Sequence, residues 1–203
     1  EDVPVLGAIV RVITLRNYDQ EDEARSLHVQ IPELQGAGEA GEAINEEVSA
    51  YVDALLAAFE TGCEAGGVRA LDVRYAVVTD AQDWFTLRVD ATLAAGSSEE
   101  ISRFYHIDKR SGARVQLSDL FPEGADYVTA LSDEVRSQMT ARAEAGEDFF
   151  PEAFDAIDAN QNFYWGADGA LVLVFDECAI ASGSMGMPEF SIPASMVEAL
   201  QNG

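Results

Sequence analysis

The chain has 203 residues, of which 48% are hydrophobic and 24% are charged, and its formal net charge is −25 at pH 7. A chain of this composition can bury a core, which excludes intrinsic disorder. Its acidic field repels phosphate backbones and excludes nucleic acid as a partner, whereas it attracts basic proteins. The charge alone leaves open whether the acidity serves recognition or only solubility. No apolar run in the chain is long enough to span a membrane.

The N-terminal third predicts two strands and a long helix. Residues 6–15 are rich in β-branched side chains and predict a strand, whereas the polar, acidic residues 17–25 predict a connection. Residues 26–31 alternate and predict a second strand, which Pro32 ends. Residues 43–60 carry apolar side chains at three- and four-residue spacing, which predicts a helix with one buried face.

The middle of the chain predicts four consecutive strands, at residues 69–80, 84–95, 101–107 and 113–117. The connections between them are short, and Gly112 supplies the turn before the fourth strand. Strands joined by short turns pair antiparallel, so this part of the chain predicts a meander.

The C-terminal part begins with a second amphipathic helix, predicted at residues 125–145. A hairpin, a short strand and a terminal helix follow, predicted at residues 163–175, 189–192 and 193–200. Together the elements predict an α+β fold in which two long amphipathic helices pack on an antiparallel meander sheet. The length is that of a single domain over residues 1–203, or of two interlocked lobes at about residues 1–95 and 96–203.

Two motifs have the spacing of ligand-binding loops but carry residues that do not fit those loops. Gly36, Gly38 and Gly41 have the spacing of a dinucleotide-binding loop, but Glu39 and Glu42 would lie beside the phosphates, so we expect a flexible loop. The spacing of Asp158, Asn160 and Asn162 is that of a calcium loop. Phe163 then stands where a calcium loop requires glycine, and Gly169 where it requires glutamate, so this motif predicts a turn.

Nothing else in the sequence indicates catalysis, a metal or a cofactor. His28 and His106 are the only histidines, both lie in predicted strands, and neither belongs to a metal-binding spacing. The residues therefore give no argument for an enzyme, although they do not exclude one, and we expect no cofactor. Cys63 and Cys178 either pair in a disulfide or remain separate thiols, and the sequence leaves both open.

Two stretches are candidates for a binding surface. Glu147, Asp148, Phe149 and Phe150 place two aromatic side chains beside two acids. Anchoring in the core is the favoured role for the two phenylalanines, and an exposed binding patch is the alternative.

The second candidate is a loop of small residues, which lines a groove or passes under a neighbouring strand. Its residues are Ala181, Ser182, Gly183, Ser184, Met185, Gly186 and Met187.

Several segments, in this order, resemble one domain-of-unknown-function family. Residues 104–121 read FYHIDKRSGARVQLSDLF and are similar to its "Tyr-x-Ile-Asp, turn with Gly, Leu-x-Asp-Leu-Phe" signature. Residues 162–177 resemble its aromatic strand, turn and apolar strand, and residues 178–193 resemble its "Ile-Ala-Pro-x-Ala-x-Gly" segment with a following strand. Ile31-Pro32 and Ile44-Asn45 resemble its N-terminal region.

This family occurs in the extracellular part of the anti-sigma-V factor and in the non-catalytic region of a peptidoglycan deacetylase. The resemblance implies an α+β domain without enzymatic activity, outside the cytoplasmic membrane of a bacterium, either secreted or anchored. It also implies a sensor that binds a basic protein such as lysozyme. A peptidoglycan-binding accessory domain of a cell-wall enzyme is the alternative.

Overall fold

The structure, a computed structural model, describes residues 9–21, 25–64, 67, 70–94 and 98–202. The chain divides into two compact units, which meet in the sequence between Arg114 and Val115. Each unit has a hydrophobic core of its own.

The first sheet has six described strands, in the spatial order β1 to β6. They are β1 (Arg11–Glu21), β2 (Ser26–Gln35), β3 (Ala70–Asp80), β4 (Trp84–Ala94), β5 (Ser98–Asp108) and β6 (Ala113–Val115). The pairs β1–β2, β3–β4 and β4–β5 are antiparallel, whereas β2 and β3 are parallel. Helix α1 (Gly38–Glu64) makes the crossover that a parallel pair requires.

Helix α1 buries one face against this sheet. Ile44, Val48 and Val52 recur at four-residue spacing on that face and are at most 1% exposed. The Asn45 side chain fastens the helix to the end of β2, because its Oδ1 accepts from Leu34 N (2.7 Å) and its Nδ2 donates to Leu34 O (3.0 Å). The backbone N–H and C=O of Leu34, which lies beyond the part of β2 that pairs with β3, are therefore both satisfied.

The second unit contains α2 (Tyr127–Glu144), α3 (Ala194–Asn202) and a three-stranded antiparallel sheet with β8 in the centre. Its strands are β7 (Phe163–Trp165), β8 (Leu171–Val174) and β9 (Glu189–Ile192). All four residues of β8 are buried. Short 3-10 turns occur at Leu117–Leu120, Pro151–Ala153 and Gly183–Met185.

The core of the second unit is rich in aromatic side chains. Phe149, Phe190, Phe175 and Phe154 form a chain of ring contacts with successive centroid distances of 5.7, 5.6 and 5.9 Å. Edge-to-face and tilted contacts of this kind add to the stabilisation from burial. The α2 residues Leu131, Val135 and Met139 are fully buried in the same core.

The predicted α+β class and the meander of β3 to β6 are confirmed. The two long helices belong to different units: α1 packs on the large sheet, and α2 contacts β9 and the Pro151–Ala153 turn. Leu117, predicted at the end of a strand, instead begins a 3-10 turn.

Three predictions in the N-terminal third were wrong in extent. Residues 17–21 belong to β1 and are not a connection, and residues 6–8 lie outside the described chain. Pro32 does not end β2, because it pairs with Thr14 beside an irregularity in β1, where the ladder tolerates a missing donor. Helix α1 begins at Gly38 and not at residue 43, so Gly38 and Gly41 are helical and not part of a loop.

Candidate functional site

The structure brings together the two stretches that the sequence singled out. Phe149 and Ala181 form an isolated antiparallel bridge. On either side of it, Phe150 N donates to Ile180 O (2.8 Å) and Ser182 N donates to Asp148 O (2.9 Å). We call residues 147–150 and 180–187 the bridged surface.

Neighbouring residues of the bridged surface face opposite ways. Phe149 is 6% exposed and Ala181 is 1% exposed, so both belong to the core. Asp148 is exposed, and Phe150 is 42% exposed. The core role favoured for the two phenylalanines therefore describes Phe149, whereas the ring of Phe150 reaches solvent.

Arg142, in the last turn of α2, holds the first acid of the surface. Its Nε and Nη2 donate to both carboxylate oxygens of Glu147 at 2.7 to 3.1 Å, and its Nη1 donates to Glu189 O (3.1 Å). These hydrogen bonds lower the pKa of Glu147 below its ordinary value. The Arg142 guanidinium also lies 4.5 Å from the ring centroid of Phe149 and 5.3 Å from that of Phe190.

The small-residue loop is compact. Gly183 and Ser184 are exposed, and Ser182, Met185, Gly186 and Met187 are half-buried. The hydroxyl oxygens of Ser182 and Ser184 lie 2.8 Å apart. A Cβ at Gly183 would lie 3.1 Å from the carboxylate of Glu177 and 3.2 Å from the Cys178 sulfur. Glycine thus lets the loop pack closely against the chain that precedes it.

Comparisons with known proteins identify the family of the chain. Residues 118–195 match the family described as "Protein of unknown function (DUF3298)". The anti-sigma-V factor RsiV of Bacillus subtilis (strain 168) is 30% identical over 212 residues, which cover 99% of this chain and 74% of RsiV. The chain belongs to the DUF3298 family. The family match includes Arg142 and the whole bridged surface.

Two solved DUF3298 structures have the same fold. The protein from Pseudomonas aeruginosa PAO1 superposes with a TM-score of 0.63 at 15% identity, over 95% of this chain and 94% of its own. The protein from Bacteroides fragilis NCTC 9343 has a TM-score of 0.60 at 16% identity, over 96% of this chain and 94% of its own. No helix among the described residues is long and apolar enough to cross a membrane.

The two cysteines are not bonded to each other, so the disulfide alternative is not realised in the structure. Cys63 is half-buried near the end of α1 in the first unit, and Cys178 is exposed in the second unit.

The histidines occupy different environments. His28 lies 3.0 Å from Asp19 at the surface. His106 is 4% exposed, and its Nδ1 lies 3.1 Å from the hydroxyl of Thr86. Burial, with a smaller effect of Arg114, lowers the pKa of His106 to about 3, so its ring is neutral at physiological pH.

The predicted turn at Asp158 is present, since its carboxylate accepts from Asn160 N (2.8 Å). Within the described residues, no group of three or more histidine, cysteine or acidic side chains could hold a metal ion.

Arg142 is the residue that the sequence did not single out. Its position in the last turn of α2 suits a cation, because the helix dipole is negative there. Nothing in the local pattern connects it with Phe149 or Phe190, which only the tertiary fold brings within reach.

Proposed function

We propose that this DUF3298 chain is a non-enzymatic sensor domain that acts outside the cytoplasmic membrane of a bacterium and binds a basic protein through the bridged surface. The relationship to RsiV, an anti-sigma factor by name, supports a regulatory role. Lysozyme is the favoured partner, as the sequence resemblance implies.

The bridge between Phe149 and Ala181 is the observation on which the proposal depends. It joins two stretches that are far apart in the sequence and presents an acid, Asp148, beside an aromatic ring, Phe150. Exposed aromatic side chains are common anchors of protein interfaces, and a complementary charge speeds the encounter. The net charge of −25 supplies the long-range attraction for a basic partner.

A second candidate is a glycan- or peptidoglycan-binding accessory domain of a cell-wall enzyme. The exposed ring of Phe150 favours it, since an aromatic face offers apolar contact that does not depend on charge.

The first experiment is a titration of the chain with a c-type lysozyme at low and at raised salt. We expect submicromolar binding that weakens as the salt concentration rises. Asp148→Lys should weaken binding by about tenfold or more and mainly speed dissociation, because the charge change lies within the contact.

Glu123→Lys is the matched control, since it changes the net charge equally. Glu123 is exposed and lies before α2 in the chain, whereas Asp148 lies after it. The helix between them has 18 residues and is about 27 Å long, so the control changes a charge away from Asp148. The control should slow association modestly and leave dissociation unchanged.

Absence of binding at low salt would reject lysozyme as the partner. Equal dissociation rates for the two variants would reject the bridged surface as the place of contact. Pull-down with purified peptidoglycan tests the glycan alternative, which requires retention that resists salt and is lost in Phe150→Ala.

A further inference from the structure

The two adjacent acids of the bridged surface have different surroundings. The carboxylate of Glu147 is engaged by Arg142 through hydrogen bonds as short as 2.7 Å. Asp148 is exposed, and no side chain among the described residues pairs with its carboxylate. Asp148, and not Glu147, therefore carries the charge that a partner would meet.

Glu147 and Phe149 form a binding site for an arginine of the same chain. Glu147 grips the guanidinium of Arg142 with both carboxylate oxygens, and Phe149, two residues later, lies 4.5 Å from the same guanidinium. A planar guanidinium suits this environment, because it can hydrogen-bond at its edge while its face contacts a ring.

The outward-facing residues repeat this order one position along the chain. Asp148 is an acid followed two residues later by an aromatic, Phe150, and both are exposed. The backbone between them is fixed on both sides, since Phe149 N donates to Glu147 O (3.0 Å), Ser182 N to Asp148 O, and Phe150 N to Ile180 O. Asp148 and Phe150 flank the bridged Phe149 and are exposed where Phe149 is buried, so one guanidinium from solvent can contact both a carboxylate and a ring.

We propose that Asp148 and Phe150 form a site for an arginine side chain of the partner protein. This inference rests on the proposed function, since it assumes a basic protein as the partner, and it adds the chemistry by which that protein is recognised. An arginine offers a fork of donors to the Asp148 carboxylate and a flat face to the Phe150 ring. A lysine ammonium is more strongly hydrated and has no flat face, so the site distinguishes two cations of equal charge.

The test uses oligo-arginine and oligo-lysine peptides of equal length, with affinities measured by fluorescence anisotropy at physiological salt. Both peptides should bind the acidic chain, the arginine peptide about three- to tenfold more tightly. Asp148→Asn and Phe150→Leu should each abolish that preference, whereas Phe150→Trp should keep it. The control Glu123→Gln should weaken both peptides equally, because it removes a charge far from the site.

Phe150→Leu is the decisive variant, because leucine keeps an apolar side chain and removes the ring. An arginine preference that survives in this variant, or equal affinities of the unaltered chain for both peptides, would overturn the proposal. Backbone amide exchange of Ser182 should match the unaltered chain in each variant, which establishes that the bridge is intact.

A second arm uses lysozyme whose arginines are blocked with a dicarbonyl reagent, or whose lysines are acetylated. Blocking arginine should weaken binding more than acetylation does, and the difference should vanish in Phe150→Leu. If unmodified lysozyme does not bind, the lysozyme proposal fails, and the peptide experiment still decides whether the site selects arginine.

Discussion

The two units of the chain bury different kinds of side chain. In the first unit the core is largely aliphatic, with α1 and the sheet contributing valine, isoleucine and leucine. In the second unit the core contains six phenylalanines, namely Phe121, Phe149, Phe154, Phe163, Phe175 and Phe190. Aromatic rings have larger faces than aliphatic side chains, and arginines can pack on those that approach the surface.

The units also differ in where their polar groups lie. The described buried polar residues of the first unit are Thr86, Ser102, His106 and Lys109, whereas in the second unit only Ser132 is of this kind. Arginines lie over aromatic rings in both units, Arg103 over Tyr51 in the first and Arg142 and Arg136 over Phe149 and Phe154 in the second. Among the described residues, the units therefore differ in their buried polar groups and in the number of buried phenylalanines, and not in the packing of arginine on aromatic rings.

The largest expected effect tests whether the two cores are energetically separate. Phe190 is fully buried and contacts Phe149 and Phe175, so Phe190→Ala should destabilise the second unit by about 3–5 kcal/mol. In the first unit, Leu87→Ala should cost about 2–5 kcal/mol, since Leu87 is also fully buried.

Hydrogen exchange with mass spectrometry shows whether the two cores unfold separately or as one cooperative unit. Each variant should lose protection mainly within its own unit, because the two hydrophobic clusters share no residue. Uniform loss across residues 9–202 in both variants would contradict separate cores and indicate one cooperative unit.

The second prediction concerns the stability contribution of His106, a buried polar residue of the first unit. His106 takes up a proton near pH 6.5 when the chain unfolds but only near pH 3 in the folded state. The unfolded state therefore binds more protons between these values, and stability falls as the pH falls, by about 1.4 kcal/mol per pH unit from this residue.

Urea denaturation at several pH values between about 6 and 4 measures this contribution. In His106→Asn, the stability should depend less steeply on pH, because the variant has no imidazole, although an amide can still reach the Thr86 hydroxyl. Thr86→Val is the control, since it removes that hydrogen bond and leaves the imidazole. Parallel pH profiles for His106→Asn and the unaltered chain would show that His106 does not titrate as its burial requires.

The sequence predicted the elements whose hydrophobicity alternates. Strand β4 was found because Phe85, Leu87 and Val89 alternate with the polar residues Thr86 and Arg88, and these three apolar residues belong to the core of the first unit. The end of β1 was missed because an edge strand can be exposed on both faces, and Asn17 to Glu21 therefore read as a polar connection.

The candidate surface could be predicted only in part. Composition drew attention to residues 147–150 and 181–187, but an antiparallel bridge between distant segments leaves no local pattern. The division between inward Phe149 and outward Phe150 follows from that bridge, and so does the access of Arg142 to Phe149. Both features depend on the tertiary pairing of distant segments, which local sequence propensity does not predict.

The smallest expected effect concerns Arg142, which joins the aromatic core of the second unit to the bridged surface. Arg142→Met keeps an apolar stem over Phe149 and Phe190 but removes the hydrogen bonds to Glu147 and Glu189. Because Arg142 and Glu147 are about one-third exposed, we expect only a small loss in the free energy of unfolding. The amides of Phe150 and Ser182 should exchange about fivefold faster, since they donate the hydrogen bonds of the bridge.

Arg136→Met is the matched control, because Arg136 pairs with Asp133 at 2.7 Å and lies 5.5 Å from the ring centroid of Phe154. A similar loss of stability is expected from it, without faster exchange at Phe150 and Ser182, since its contacts lie away from the bridge. If the two variants change these amides equally, Arg142 is one surface cation among others and does not hold the bridged surface. If only Arg142→Met does so, this single guanidinium holds the bridged surface on the aromatic core of the second unit.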